Sequence, residues 1–162
     1  MEKQNLEMRL ATPDDCGTFA DIILERQNWF IENSNPQWNN ITDYYTKEYY
    51  QSMIGKLYVF SYNSKVVAGA ILVTKDDFWQ NDKNSLYLHS LVSTPKHKGI
   101  GKEAFGLIKE YARSHGYASI RIDCIGSNEK LISIYLDYGF EPRGQKAYRD
   151  GDPAALLELN LD

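Results

Sequence analysis

Two glycines and three lysines lie in the segment KHKGIGKEAF, residues 96–105, where an apolar run gives way to a helical pattern. Backbone amides at the start of a helix lack partners inside the helix, and the helix dipole adds partial positive charge there. Glycines let a ligand approach the backbone, so this segment could bind a phosphate or diphosphate that Lys96, Lys98 and Lys102 attract. A plain turn with solvated lysines explains the same residues and stays open at this point.

Two common nucleotide-binding motifs do not fit this glycine segment. A P-loop needs four residues between its glycines, followed by Lys and then Ser or Thr, and the segment has no such spacing. A dinucleotide-binding fold places its glycines after the first strand of the domain. Here they follow the fourth predicted strand, so a diphosphate would bind in a different fold.

Hydrophobic periodicity and turn residues predict the order β-α-α-β-β-β-α-β-α-β-β. The predicted strands cover residues 6–10, 57–63, 66–73, 85–93, 117–125, 140–148 and 154–161. The third strand is apolar on both faces and should lie inside the sheet. The first predicted helix is capped by Thr12 or Asp14, the second ends near Gly55, the third covers 100–115, and the fourth follows Ser127 or Asn128. These patterns predict an α/β sheet of mixed direction.

Length and composition indicate one globular domain over residues 1–162, with 43% hydrophobic and 25% charged residues. The net charge of −4 argues against nucleic acid as a partner. The absence of an apolar run of roughly 18 residues argues against a membrane span. The polar first residues predict no signal peptide, so a cytoplasmic protein is expected. Cys16 and Cys124 are then expected to be reduced thiols, and no metal site is expected.

The segment KHKGIGKEAFGLIKEYARSHGYASIRIDC, followed by SNEKLISIYLDYGF, resembles the GNAT superfamily of acetyl-CoA-dependent N-acetyltransferases. The helix length, the strand after it, the spacing of Asn128 and Tyr135, and the YGF ending carry this resemblance. The resemblance is strongest over residues 85–140 and extends to 6–161. It implies a mixed, mostly antiparallel sheet of about seven strands, flanked by about four helices and splayed between strands 4 and 5.

The resemblance implies acetyl-CoA as co-substrate, bound by residues of the fourth strand and the glycine segment. The implied cofactor-binding residues are Leu91, Val92, Ser93, Lys96, Lys98, Gly99, Ile100, Gly101, Lys102, Glu103, Asn128 and Tyr135. One departure concerns the Gln or Arg that usually opens the loop. Lys96 occupies that position when one counts back from Gly101, and Lys98 does when one counts forward from Pro95. The helix-start amides are therefore the more secure diphosphate ligands.

The resemblance implies direct acyl transfer to an amine, with Tyr135 as the acid that protonates the leaving thiolate. A neutral phenol suits that task, although Tyr135 could simply pack and Tyr138 is a competitor. His89 is the candidate general base because histidine changes charge near neutral pH, but a strand histidine can also be structural. Glu32, Asp77 or ordered water are the alternatives. Cys124 could be a nucleophile, although a small buried residue is the favoured interpretation.

The acceptor is expected to be a primary amine of a small molecule or peptide. Aromatic residues of the first helices and loops could line its site or simply pack; they are Trp29, Trp38, Tyr44, Tyr45 and Trp79. The resemblance also implies that a homodimer can form. Two other functions stay open: an acyl-CoA-binding module without turnover, and an interaction domain in which KGIG is only a turn. The presence of both Asn128 and Tyr135 argues against the former.

Overall fold

The computed structural model describes residues 5–33, 46–76, 79, 83–125, 129–147 and 153–161. The strands in these ranges are β1 (Glu7–Leu10), β2 (Leu57–Tyr62), β3 (Lys65–Val73), β4 (Ser85–Ser93), β5 (Ser119–Ile125), β6 (Glu141–Ala147) and β7 (Pro153–Asn160). The helices are α1 (Asp15–Glu32), α2 (Lys47–Gln51), α3 (Ile100–Ser114) and α4 (Glu129–Asp137). This element order is the one that the sequence patterns predict. None of these helices has both the length and the apolar character needed to cross a bilayer.

The strands form a mixed sheet in the order β1-β2-β3-β4-β5-β7-β6. The pair β4–β5 is parallel, whereas β1–β2, β2–β3, β5–β7 and β6–β7 are antiparallel. The predicted mixed, mostly antiparallel sheet is therefore confirmed. The strand β3 lies inside the sheet, as its continuous apolar run predicts.

The chain divides into two compact units. The first contains Met1–Leu72 and Ser90–Ile108, and the second contains Val73–His89 and Lys109–Asp162. The glycine segment belongs to the first unit, and the candidate acid and base belong to the second.

Aromatic packing forms the centre of the first unit. Phe19 of α1 is fully buried, and its ring meets the ring of Tyr50 edge-on at a centroid distance of 4.8 Å. A Cβ atom at Gly69 would lie only 2.6 Å from the Phe19 ring. Glycine at position 69 therefore lets α1 approach the sheet closely.

The start of α1 agrees with the predicted cap in position but not in bonding. Asp14 occupies the N-cap position but makes no side-chain cap bond, and Thr12 does not cap the helix. The carboxylate of Asp15 instead accepts from the Thr12 amide at 2.7 Å and from Arg9 Nη1 at 2.7 Å. Local sequence spacing did not predict a role for Arg9 of β1. Its guanidinium forms an ion pair with the Asp15 carboxylate.

The second helix is shorter than predicted, because α2 ends at Gln51 rather than near Gly55. The hydroxyl of Ser52 donates to the Tyr49 carbonyl, a local bond that competes with helix continuation. A turn then leads to β2, and Gly55 adopts a φ of +96° that glycine allows.

The pairing of β5 with β7 shows which side chains lie on each face of the sheet in the second unit. Ile120 pairs with Leu159 and Ile122 pairs with Leu157, and all four side chains are buried. The alternate residues point to the opposite face, since successive side chains of a strand alternate. That opposite face carries Ser119, Arg121 and Asp123 of β5 and Glu158 of β7.

Candidate active site

The glycine segment forms a left-handed turn followed by the start of α3. Gly99 has a φ of +85°, and the helix begins at Ile100, whose side chain is buried. The Glu103 amide donates to the Gly99 carbonyl at 3.2 Å. The amides of Ile100, Gly101 and Lys102 therefore precede the first bond of the helix, whereas the Glu103 amide, also predicted as a ligand, is used by the helix.

The space around the helix start is open at Gly101. A Cβ atom there would approach only the Ser93 hydroxyl oxygen, at 3.9 Å. The carboxylate of Glu103 has partners in the same unit: it accepts from the Tyr62 hydroxyl at 2.6 Å and from the Leu6 amide at 3.4 Å. The hydrogen bond to Glu103, with smaller effects of burial and charge, raises the pKa of Tyr62 to about 12. These features are compatible with an anion approaching the amides of Ile100–Lys102.

The lysines of the segment are solvent-exposed. The Lys96 amide donates to the Thr94 hydroxyl at 3.4 Å, and its ammonium lies 3.8 Å from the carboxylate of Glu25. Lys98 and Lys102 are also exposed. These exposed lysines can attract an anion over a long range.

The sequence analysis missed Arg26 of α1, which contacts Ser93 of β4. Its Nε donates to the Ser93 carbonyl at 3.0 Å, and its Nη2 donates to the Ser93 hydroxyl at 3.1 Å. Burial lowers the pKa of Arg26 below the usual value. The guanidinium thus fixes the end of β4 from which the glycine segment departs, over a sequence separation of 67 residues.

The parallel pairing of β4 and β5 is short. It joins Ser85–Tyr87 to Ser119–Arg121, while the strands continue to Ser93 and Ile125. This short ladder agrees with the predicted splay between strands 4 and 5. Leu91, Val92 and Ser93, the predicted main-chain ligands of the cofactor arm, lie in the part of β4 beyond the paired residues. Ser90, directly after His89, adopts a φ of +55° that is uncommon for serine.

Tyr135 of α4 is buried in the second unit, with 9% of its surface exposed. Its ring packs edge-on against Phe140 at 5.3 Å and against Tyr138 at 5.8 Å. Burial, followed by the proximity of Cys124 and Tyr138, raises the pKa of Tyr135 well above that of free tyrosine. The phenol is therefore neutral at physiological pH and retains a proton to donate.

Cys124 is buried on the apolar face of β5. Burial, and to a smaller degree Asp123, raises the pKa of the Cys124 thiol to about 12. Since the thiolate is the nucleophilic form of cysteine, this environment is typical of a packed residue rather than of a nucleophile.

His89 lies between two carboxylates, neither of which the sequence analysis placed beside it. Its Nε2 is 3.1 Å from Asp76 Oδ2, and its Nδ1 is 3.8 Å from Asp123 Oδ1. One ligand atom from each of the three residues lies within 4.8 Å of the others, in the range that a bound cation could bridge. His89 and Asp123 are each two residues beyond the last paired residues of β4 and β5, Tyr87 and Arg121. Alternate residues of a strand share a face, so two residues that each follow a paired residue by two positions lie on the same face of neighbouring strands. That pattern could have indicated this contact.

A buried ionic cluster occupies the same face of β5. Arg121 Nε donates to Glu158 Oε2 at 2.6 Å, and Arg121 Nη1 donates to the Tyr87 hydroxyl at 3.0 Å. The guanidinium also lies 4.4 Å from the ring centroid of Trp79. Trp79, a predicted acceptor-side aromatic, thus stacks on Arg121.

Several predicted site residues lie away from this cluster or outside the part of the chain that the structure describes. The predicted residues outside the described part are Asn128, Asp77, Trp38, Tyr44 and Tyr45. Glu32 is exposed at the end of α1. Trp29 is partly exposed, and its ring centroid lies 5.1 Å from the Arg26 guanidinium carbon.

The family model described as the acetyltransferase (GNAT) family matches residues 23–140. The chain therefore belongs to the GNAT acetyltransferase family, as the sequence resemblance indicates. No curated protein matches the sequence.

Solved structures share the fold at low sequence identity. A GNAT-family acetyltransferase of Listeria monocytogenes is 22% identical, with 96% of this chain and 95% of that chain covered and a TM-score of 0.77. A GNAT-family acetyltransferase of Streptococcus agalactiae is 16% identical, with 97% and 96% covered and a TM-score of 0.80. The protein yncA of Salmonella typhimurium, solved with its cofactor acetyl-CoA, is 19% identical, with 97% and 94% covered and a TM-score of 0.60.

Proposed function

We propose that this protein transfers the acetyl group of acetyl-CoA to a primary amine of a small molecule or peptide. The observation that carries the proposal is the GNAT family match over residues 23–140, a range that includes the buried Tyr135 of α4. Acetyl-CoA supplies an activated thioester, and its thiolate leaving group must gain a proton. A tyrosine that stays protonated at physiological pH is suited to supply that proton.

The first unit would bind the diphosphate of the co-substrate. The amides of Ile100, Gly101 and Lys102 precede the first helical bond, and the open space at Gly101 admits a ligand close to the backbone. Lys96 and Lys98 would add attraction from the surface. The main chain of Leu91–Ser93 would pair with the pantetheine arm, and Asn128 would add a hydrogen bond to the arm.

The second unit would carry the proton transfers. The amine nitrogen forms a bond to the acetyl carbon while the carbon–sulfur bond breaks, and Tyr135 gives its proton to the sulfur. Two protons leave the substrate ammonium: His89 takes one and releases it to solvent, and the other restores Tyr135. Direct attack is favoured over an acyl-enzyme because the only candidate cysteine in this unit, Cys124, is held as a buried neutral thiol.

Calorimetric titration with acetyl-CoA and CoA tests the foundation of this proposal. Wild-type protein is expected to bind both ligands with micromolar affinity. The Gly101→Asp variant should bind at least about tenfold more weakly, because its carboxylate would repel the diphosphate at the helix start. The control is Gly106→Asp on the same helix, which adds the same charge at an exposed position with open space around it.

An amine panel with detection of released thiol tests turnover. Acetylation of one or more amines by the wild-type protein, confirmed by product mass, is the expected result. Tight CoA binding without turnover on a broad panel would instead indicate a binding module. Absence of CoA binding would remove the basis for both functions.

A further inference from the structure

Arg26 of α1 holds both acceptor groups of Ser93 at the end of β4. Its Nε donates to the Ser93 carbonyl at 3.0 Å, and its Nη2 donates to the Ser93 hydroxyl at 3.1 Å. Because the guanidinium is planar and rigid, these two donors fix the main chain and the side chain of the same residue. Ser93 is the last residue of β4, so its orientation is set where the chain leaves the strand for the glycine segment.

The hydroxyl of Ser93 remains available as a hydrogen-bond donor. A serine hydroxyl carries one hydrogen and two lone pairs, whereas a guanidinium carries donors alone. Since Arg26 occupies one of these lone pairs, the hydrogen of the Ser93 hydroxyl must point away from it. Within the described ranges no hydrogen bond uses that hydrogen. Accepting a bond from a cation also polarises the hydroxyl and makes it a stronger donor.

This hydroxyl lies beside the start of α3. Its oxygen is 3.9 Å from the position that a Cβ atom would take on Gly101. The amides of Ile100, Gly101 and Lys102 precede the first bond of the helix, and Ser93 is partly exposed, so a ligand can reach both. An anion that accepts from these amides would therefore have the Ser93 hydroxyl as a further donor.

The guanidinium of Arg26 has no carboxylate partner among the described residues. The ion pairs formed there do not include it, and the preceding residue, Glu25, lies 3.8 Å from Lys96 instead. The guanidinium carbon is 5.1 Å from the ring centroid of Trp29 and 5.9 Å from that of Phe30. Burial lowers the pKa of this guanidinium, although arginine stays charged. A half-buried cation next to rings keeps an uncompensated charge that favours a nearby anion.

We propose that the Ser93 hydroxyl binds the diphosphate of the co-substrate and that Arg26 is the positioning residue that orients this hydroxyl. The charge of Arg26 would then act on the anion through Ser93 rather than by direct contact. This inference rests on the proposed acetyl transfer. It adds one side chain of β4 and one of α1 to a site otherwise formed by main-chain amides, and it specifies the diphosphate, not the pantetheine arm, as the part that they recognise.

Calorimetry with CoA tests this binding role without turnover. Ser93→Ala keeps the main-chain bond from Arg26 and should weaken CoA binding by about tenfold or more, as expected for losing a hydrogen bond to a charged group. Ser93→Thr keeps the hydroxyl and should bind within about threefold of wild type. Arg26→Met should weaken binding at least as much as Ser93→Ala, because it removes both orientation and charge. Arg113→Met, an exposed change in the last turn of α3, is the matched control.

The double variant Arg26→Met/Ser93→Ala tests whether Arg26 acts through Ser93. Its loss of CoA affinity should be clearly smaller than the product of the two single losses, since both changes remove the same oriented donor. Single losses that multiply would overturn the positioning role. Urea unfolding of the same variants provides the structural readout. Lower stability with unchanged CoA affinity would make the pair a fold contact alone and overturn the inference.

Pantetheine identifies the part of the co-substrate that these side chains recognise, because it has the arm and the thiol but lacks the diphosphate. Amide NMR can follow its weak binding. The dissociation constant for pantetheine should stay within about twofold of wild type in Ser93→Ala and Arg26→Met, since neither variant removes a main-chain amide. An equal loss for pantetheine and CoA would place the effect on the arm and overturn the inference.

The outcomes distinguish failure of this inference from failure of the proposed function. CoA binding that depends on Ser93 and Arg26, without acetylation of any amine, supports the inference and removes the transferase. Acetylation with CoA affinity unchanged in Ser93→Ala and Arg26→Met leaves the transferase and removes the inference. A wild-type protein that binds no CoA would remove both.

Discussion

Arg121 Nε donates to Glu158 Oε2 at 2.6 Å, and each residue has only 2% of its surface exposed. Burial disfavours the charge on Glu158, but hydrogen bonds from Arg121 and Ser119 outweigh it and lower the pKa of Glu158. The pair joins β5 to β7 and, through Arg143, reaches β6. One carboxylate thus holds three strands of the second unit together.

Replacing Glu158 by Gln should destabilise the fold strongly. The buried guanidinium of Arg121 would lose its carboxylate, and removal of one partner of a buried pair typically costs about 3–5 kcal/mol. Urea unfolding measures the change. The control is Glu141→Gln, whose carboxylate is 66% exposed and bonds Arg143 at 3.1 Å, with an expected change below about 1 kcal/mol. Equal stability of the two variants would contradict this account.

Gly69→Ala should destabilise the first unit. The new Cβ would lie 2.6 Å from the fully buried Phe19 ring, which would have to move against its neighbours. Overpacking of this kind costs about 1–3 kcal/mol. Gly106→Ala is the matched control: it lies in an exposed part of α3 with open space around it, so alanine should stabilise by about 0.5–1 kcal/mol. Opposite signs for the two variants are the expected result of thermal unfolding.

The Asp15 carboxylate should make stability pH-dependent at acid pH. The Arg9 hydrogen bond, opposed by burial and aided by Thr12, lowers the pKa of Asp15 from 3.8 to about 2. A lowered folded-state pKa contributes stability above the unfolded value, near 4, and that contribution is lost as the pH falls towards 2. Because Arg9 is 45% exposed, solvent screening reduces the contribution to about 1–2 kcal/mol.

Comparison with Asp15→Asn isolates this contribution. The variant should lie below wild type in unfolding free energy at pH 6, and the difference should shrink between pH 4 and pH 2. A difference that stays constant over that window would assign the loss to local geometry rather than to charge.

Tyr135→Phe should lower kcat of acetyl transfer by about 100-fold while leaving acetyl-CoA affinity within about twofold, because only the proton donor is removed. The ring packing against Phe140 is preserved, so the variant should fold normally. Stopped-flow thiol detection and calorimetry provide the two readouts. Tyr138→Phe is the matched control on the neighbouring ring, and a larger loss of kcat in that variant would transfer the acid role to Tyr138.

The order of helices and strands could be predicted because its signals are local. Gly99, Gly116 and Gly139 all adopt positive φ values at the ends of elements, where glycine is the residue with the least steric cost. The start of α3 at Ile100 and the full extent of β4 follow from periodicity within about ten residues. The family resemblance rests on the same local segments, and it indicated the splay and the position of Tyr135.

The partners of the functional side chains could not be predicted in this way. Arg26 and Ser93 are 67 positions apart, and Arg121 and Glu158 are 37 apart. His89 meets Asp123 only because β4 and β5 are parallel in a register that pairs Tyr87 with Arg121.

The sequence by itself determined the element order, whereas the anion-binding helix start and the acid role of Tyr135 stay predictions from it. Only the tertiary structure decided which charged side chains lie beside the functional residues. The physical reason is that strand register places side chains from distant segments on one face, and a shift of one residue would send each of them to the other face.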